Sequence, residues 1–143
     1  LGVNKLIPIE TKRCVVKIDC SKEKTKIDRW KKICKEASEQ SFRSDIPEIS
    51  SILTLQDLVD LNYDLKLLCS LNKNTKNIKK ILEKNNKCVK ILLVVGPEGG
   101  FDPLEEEYLL KNGFKSVSLG DNVLRAETAP VVALSMINYE FMR

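Results

Sequence analysis

The sequence predicts an α/β fold with a mostly parallel sheet, and three observations carry that expectation. Short aliphatic, β-branched-rich runs alternate along the chain with longer segments of helical periodicity, the pattern of strands joined by crossover helices. One such run, Ile91 to Val95, passes straight into Gly96-Pro97-Glu98-Gly99-Gly100-Phe101 and then into a helix start. A second loop, Gly120 to Ala126, again follows a strand-like run and precedes a helix. In sheets of this kind the ligand site lies beyond the carboxyl ends of the strands.

Taken in order, Leu6 to Pro8 and Cys14 to Ile18 read as strand segments, the second with Val15, Val16 and Ile18. From about Thr25 to Phe42, Ile27, Trp30, Ile33, Cys34 and Ala37 recur at helical spacing, so one face is expected to be buried. The other face carries Lys24, Arg29, Lys31, Lys32 and Lys35 and is cationic. Pro47 disfavours helix in the residue before it. Thr54 with Asp57 opens a short helix to about Leu61, and Asp64 to Cys69 is expected to form a central strand. Asn72 to Lys90 is rich in Lys and Asn, with a short helix at about Ile78 to Glu83 in a surface segment.

Ile91 to Val95 reads as a fully buried strand. Asp102-Pro103-Leu104-Glu105 then combines an N-cap, a proline at the first helical position and a glutamate three residues after the cap. The helix runs to about Asn112 and closes at Gly113, and Val117 to Leu119 is the next strand. The last helix, Thr128 to about Phe141, has Pro130 in its first turn and is apolar on most of its surface. Such a helix is buried against the body or against a partner. Three loops, Cys69 to Asn72, Gly96 to Asp102 and Gly120 to Glu127, follow strands and are expected to converge on one pocket. Glycines there admit backbone close to a ligand, and a helix start offers free N–H donors.

The 143 residues suit one domain, 43% hydrophobic and 31% charged. No apolar run approaches the ~20 residues that span a bilayer, so no membrane association is expected. The net charge of +4 is uneven: residues 1–45 hold 12 Lys and Arg against 7 Asp and Glu, whereas residues 101–143 hold 4 against 7. The first third is compatible with a nucleic-acid-facing surface, although a solvated lysine-rich one is the reading that charge alone favours. Five cysteines without a CxxC pair read as reduced thiols of an intracellular protein. The absence of histidine excludes a histidine triad, a histidine-ligated metal and imidazole acid–base chemistry within this chain.

Gly96-Pro97-Glu98-Gly99-Gly100-Phe101, followed by Leu119-Gly120-Asp121-Asn122-Val123-Leu124-Arg125-Ala126-Glu127-Thr128-Ala129-Pro130, closely resembles the paired C-terminal motifs of the RsmE family. These small-subunit ribosomal RNA methyltransferases belong to the SPOUT class and methylate N3 of a uridine in 16S rRNA. Leu1-Gly2-Val3, Pro8, Arg13, Arg29-Trp30, Glu36-Ala37, Glu39-Gln40-Ser41, Arg43 and Pro47 follow the family pattern upstream, and Phe42 stands where the family carries a small residue. The resemblance implies a trefoil-knotted fold with the last helix threaded through a loop, an exception to the rule against knots. It implies S-adenosylmethionine (SAM) in the knot loops and a homodimer whose partner completes the RNA site. Residues 1–143 would be the methyltransferase domain, with its first strand, most of its first helix and a PUA-type RNA-binding domain expected before Leu1. The compartment would be cytoplasmic, or organellar if a transit peptide precedes the chain.

Carried over residue by residue, Gly96, Glu98, Gly99, Gly100, Leu119, Gly120, Leu124 and Thr128 are cofactor-loop candidates, with Leu119 and Leu124 against the adenine. Methyl transfer from a sulfonium needs alignment and removal of a weakly acidic N–H. Without histidine, Arg125 is the candidate for orienting the uridine or stabilising its developing charge. Glu127 or Glu98 would accept the proton, although Glu127 equally suits a structural acid at a helix N-terminus. Arg13 and Arg43 are candidates for RNA phosphates or, at similar weight, surface ion pairs. Two other readings stay open: a SPOUT enzyme with another RNA target, and a non-catalytic RNA-binding or ribosome-assembly module that retains the fold.

Overall fold

The structure, a computed structural model, describes residues 1–14, 20–72 and 75–142. Most of the strand expected at Cys14 to Ile18 therefore lies outside the described residues. The elements are β1 (Lys5–Leu6), α1 (Cys20–Gln40), β2 (Glu48–Ile49), α2 (Leu55–Val59), β3 (Leu65–Cys69), β4 (Lys76–Asn77), α3 (Ile78–Lys84), β5 (Ile91–Val95), α4 (Pro103–Lys111), β6 (Lys115–Ser118) and α5 (Thr128–Phe141). Four strands form a parallel sheet in the order β4-β6-β3-β5, and β1 and β2 form a separate parallel pair. The expected α/β architecture with a parallel sheet is what the chain adopts.

Register fixes where the site must lie. Cys69 of β3 is level with Val95 of β5 on one side and with Val117 of β6 on the other. Three parallel strands thus end together, and the loops after them leave from one edge.

The sheet buries residues on both faces with period 2. Leu68 joins Leu92, Val94, Phe101, Leu109 and Phe114 on the side of α2 and α4. Leu65 and Leu67 join Ile78, Leu82, Val117 and Ala133 on the side of α3 and α5. Lys66 falls on the first face, where its ammonium donates to the Val59 carbonyl at 2.6 Å and lies 5.6 Å from the Phe114 ring centre. The stem is thereby buried while the charge keeps polar and aromatic partners. At the start of β3, the Asp64 carboxylate accepts from the N–H groups of Lys90 and Val89 at 2.9 Å each, which holds its carboxyl below the usual range. This contribution to stability is complete above the ordinary carboxylate range and fades as pH falls through the lowered value.

Several expectations are corrected. β3 is central, but β5, expected to be fully buried, is an outer strand among the described residues, with Leu92 and Val94 buried and Ile91, Leu93 and Val95 half-buried. A continuous apolar run reports two covered faces, and α5 covers one of them only in part. β2 and β4 were not expected, because two residues are too short to show a period. β1 starts one residue before the expected Leu6, and β6 begins at Lys115 rather than Val117, where its pairing with β3 begins. Helix α5 has the expected bounds, yet only Ala133 is fully buried, and Tyr139 is 81% exposed.

Helix α1 begins five residues before Thr25, since Ser21-Lys22-Glu23-Lys24 contains no helix breaker, and ends at Gln40. Its apolar face is half-buried rather than buried, with Ser38 alone fully enclosed and Ile33 exposed. The cationic face is solvated, and Lys32 and Lys35 lie 4.0 and 3.8 Å from Glu36 and Glu39. The helix ends in a Schellman-type turn, in which the Arg43 N–H donates to the Ser38 carbonyl at 2.9 Å. Phe42 occupies the C′ position at φ +54°, the non-glycine residue at positive φ among those described, and is 96% exposed. A left-handed conformation costs a β-carbon-bearing residue about 1–2 kcal/mol. Phe42→Gly removes that strain without loss of packing, so denaturant unfolding is expected to show a gain of about 0.5–1 kcal/mol after glycine's own chain-entropy cost.

Candidate active site

The three loops expected to converge do so, around a cleft of about 850 Å³ at the carboxyl ends of β3, β5 and β6. The loop after β5 is a tight turn in which the Gly100 N–H donates to the Pro97 carbonyl at 2.8 Å, with Gly100 at φ +68°. Gly96 is required for a different reason: a β-carbon there would stand 3.0 Å from the Phe101 ring, which belongs to the core. Gly96 by crowding and Gly100 by its positive φ therefore favour glycine in the loop that faces the cleft.

Helix α4 begins with the expected capping box. Asp102 accepts from the Leu104 N–H at 3.1 Å, and Glu105 reaches back to the Asp102 N–H at 3.0 Å. Glu105 is buried, and its second oxygen accepts from the Lys12 N–H at 2.7 Å. Beside it, the Arg13 guanidinium donates to the Gly99 carbonyl at 2.8 Å, and the Lys12 ammonium lies 3.5 Å from the Asp102 carboxylate. The chain at residues 11–13 is thus strapped across the glycine loop by three polar contacts.

On the other sides, the Ser70 hydroxyl donates to the Glu106 carboxylate and accepts from the Asn72 N–H at 3.0 Å. Gly120, at φ +143°, turns the chain after β6. The Arg125 carbonyl accepts from the N–H groups of Thr128 and Ala129 at 3.0 and 2.9 Å, which fixes its backbone to the start of α5. Its side chain is left 87% exposed and that of Glu127 70% exposed, with 4.0 Å between guanidinium and carboxylate. Glu127 makes no side-chain cap on α5.

Of the residues singled out from sequence, Gly96, Glu98, Gly99, Gly100, Leu119, Gly120, Leu124, Arg125 and Glu127 all line the cleft. Arg13 lines it too, holding the glycine loop. Thr128 stands outside the wall as the first residue of α5, and Ala129 lines it instead. Arg43 is not in the cleft and is ion-paired with Asp45, the surface-pair alternative. Ser70 and Asn72 lie in the loop expected at the cleft but had no role assigned from sequence, and Glu106 was missed. Within Glu105-Glu106-Glu107 only the helical phase relative to the cap separates the buried clamp from the cleft carboxylate.

Cys69, at the cleft's base, has its thiol pushed up to about 11 by burial. It is therefore neutral and a poor nucleophile at pH 7. Timed alkylation at pH 7.5 with peptide mapping is expected to label Cys69 far more slowly in the folded protein than after denaturation. Cys14, Cys34, Cys69 and Cys88 are free thiols. Among the described residues no group of three or more Cys, Asp or Glu side chains could hold a metal ion, and no helix is long and apolar enough to cross a membrane.

Together the parallel sheet and its glycine-lined cleft have the layout of α/β domains whose ligand site is built on loops after adjacent strands. The chain belongs to the RNA methyltransferase domain family, whose model matches residues 1–138. It is similar to a Bacillus subtilis protein named ribosomal RNA small subunit methyltransferase E, with 37% identity over 146 residues covering 98% of this chain and 57% of the relative. A Synechocystis protein of the same name is 37% identical over 141 residues, covering 96% and 45%. The solved structure of ribosomal RNA small subunit methyltransferase E from Neisseria gonorrhoeae, bound to S-adenosyl methionine, superposes with a TM-score of 0.86 at 31% identity, over 96% of this chain and 55% of that one. A Legionella pneumophila protein crystallised with bound SAM gives 0.85 at 34% identity, over 96% and 56%. The resemblance drawn from the two loop motifs is thereby borne out. The chain spans about half the length of these relatives.

Proposed function

We propose that this chain is the methyl-transferring domain of a SAM-dependent enzyme that methylates N3 of a uridine in small-subunit ribosomal RNA. The observation that carries the reading is the convergence of three loops on one cleft with an unburied arginine at its rim. The residues present fit the cofactor. Half-buried Leu119 and Leu124 offer apolar surface to an adenine, and Gly100 and Gly120 stand where an added β-carbon would meet open space. Backbone groups of the glycine loop suit ribose and amino-acid polar atoms. SAM supplies an activated methyl group on a sulfonium, so no further activation is asked of the protein.

The chain's own tasks are positioning and charge. Arg125, anchored by its backbone and with an exposed guanidinium beside Glu127, holds the uracil ring and stabilises the negative charge left as N3 loses its proton. Glu127, within 4.0 Å of that guanidinium, or Glu98 on the facing loop, accepts the proton. The reading includes the threading of α5 that the resemblance implies. It also includes a homodimer, supported by the exposed apolar surface of α5 at Val131, Met136 and Tyr139, which a second copy would cover. Incubation with small-subunit ribosomal RNA and methyl-labelled SAM, then digestion to nucleosides, is expected to place the label in 3-methyluridine. Label in another nucleoside would redirect the reading to a different RNA target. RNA binding without transfer would favour a non-catalytic module.

A further inference from the structure

A second cleft, of about 780 Å³, lies along the outer edge of the sheet between α3, β4 and β6. Lys76, Lys80, Lys84 and Lys115 line it and all four are exposed. Lys115 donates to the Asn85 side-chain oxygen at 3.1 Å, while Lys76, Lys80 and Lys84 have no carboxylate within ion-pair distance among the described residues. These three are spaced four apart, so Lys80 and Lys84 are neighbours on one face of α3. Like charges so placed destabilise a helix unless an anion lies across them. Lys79, one residue away, is by contrast 3.8 Å from Glu83.

Two further features belong to the wall of this cleft. Ser116, in its wall, has a buried Oγ without a hydrogen-bond partner among the described residues, and buried polar groups are ordinarily satisfied. Among the described residues β4 pairs with β6 at Val117 and Ser118, beside the lysine-lined wall. Strand β6 contributes to both clefts: Lys115 and Ser116 line this one, and Val117 and Ser118 line the cofactor cleft.

We propose that this lysine cleft is a docking groove for the phosphate backbone of the RNA whose uridine enters the neighbouring cleft. The assignment rests on the RNA-methylating function above and adds the surface that holds the flanking strand. Cation-for-counterion exchange on phosphates is the dominant sequence-independent source of RNA affinity. Four exposed lysines along one groove supply it, beside the strand whose carboxyl end lines the cofactor cleft.

The test is fluorescence anisotropy of a labelled single-stranded oligouridylate with the full chain across a salt series, beside calorimetric titration with SAM. Combined Lys76→Ala, Lys80→Ala and Lys84→Ala is expected to weaken RNA binding by on the order of tenfold and to reduce the salt slope by about 2, with SAM affinity unchanged. Lys79→Ala, Lys87→Ala and Lys90→Ala together remove the same charge from the same segment outside the cleft and are expected to change the slope little. Equal losses in both triple variants would overturn the assignment, as would an unchanged slope in the first. If SAM fails to bind while lysine-dependent RNA binding persists, the methyltransferase reading falls and the groove stands.

Discussion

Arg125→Ala is expected to abolish detectable methyl transfer, with kcat lower by on the order of 10²–10³, while SAM affinity stays within about twofold. The split follows from how the residue is held. Its carbonyl starts helix α5 through the N–H groups of Thr128 and Ala129, contacts that survive any side-chain change except proline. Its guanidinium is 87% exposed and, among the described residues, has the Glu127 carboxylate at 4.0 Å as its ion-pair partner. Truncation therefore removes no packing, and stability should shift by less than about 0.5 kcal/mol. What is lost is the positive charge at the cleft rim where the uracil ring becomes anionic. A lysine there restores the charge without the planar fork, so Arg125→Lys is expected to recover only part of the rate. Unchanged turnover in Arg125→Ala would remove the assignment.

Glu105→Ala is expected to destabilise the protein by about 2 kcal/mol and to weaken SAM binding as well. Glu105 is a buried carboxylate whose two oxygens satisfy the N–H groups of Asp102 and Lys12. Removing it leaves two donors unpaired and releases the strap that residues 11–13 lay across the glycine loop. Each buried donor left without a partner costs about 1–3 kcal/mol, less where the loop can relax toward water. Glu105→Gln keeps the volume and one acceptor, so it should fall between wild type and alanine in denaturant unfolding. The order of cofactor affinities should follow the order of stabilities. If Glu105→Ala bound SAM as the wild type does, the strap would not shape the pocket.

What was legible in the sequence was local. The glycine loop, the capping box at Asp102 to Glu105 and the bounds of α5 depend on neighbours within four residues, and all appear as read. The convergence of three loops was legible too, because parallel strands ending together leave it little choice. Illegible were the contacts across sequence distance. Arg13 reads as a surface cation until Gly99 is found against it, 86 residues away. Glu106 cannot be told from its neighbours until Ser70 approaches. β2 and β4 exist only because a partner strand is present. Phe42 shows the converse: a residue unusual for the motif coincides with a positive-φ helix end, where glycine would be the unstrained choice.

The most direct test of the central claim is calorimetric titration of the purified chain with SAM, and with ATP as control. The account predicts saturable binding of SAM near one per protomer and none of ATP. A folded chain, verified by its unfolding transition, that binds neither ligand would contradict the assignment of the three-loop cleft as the cofactor site.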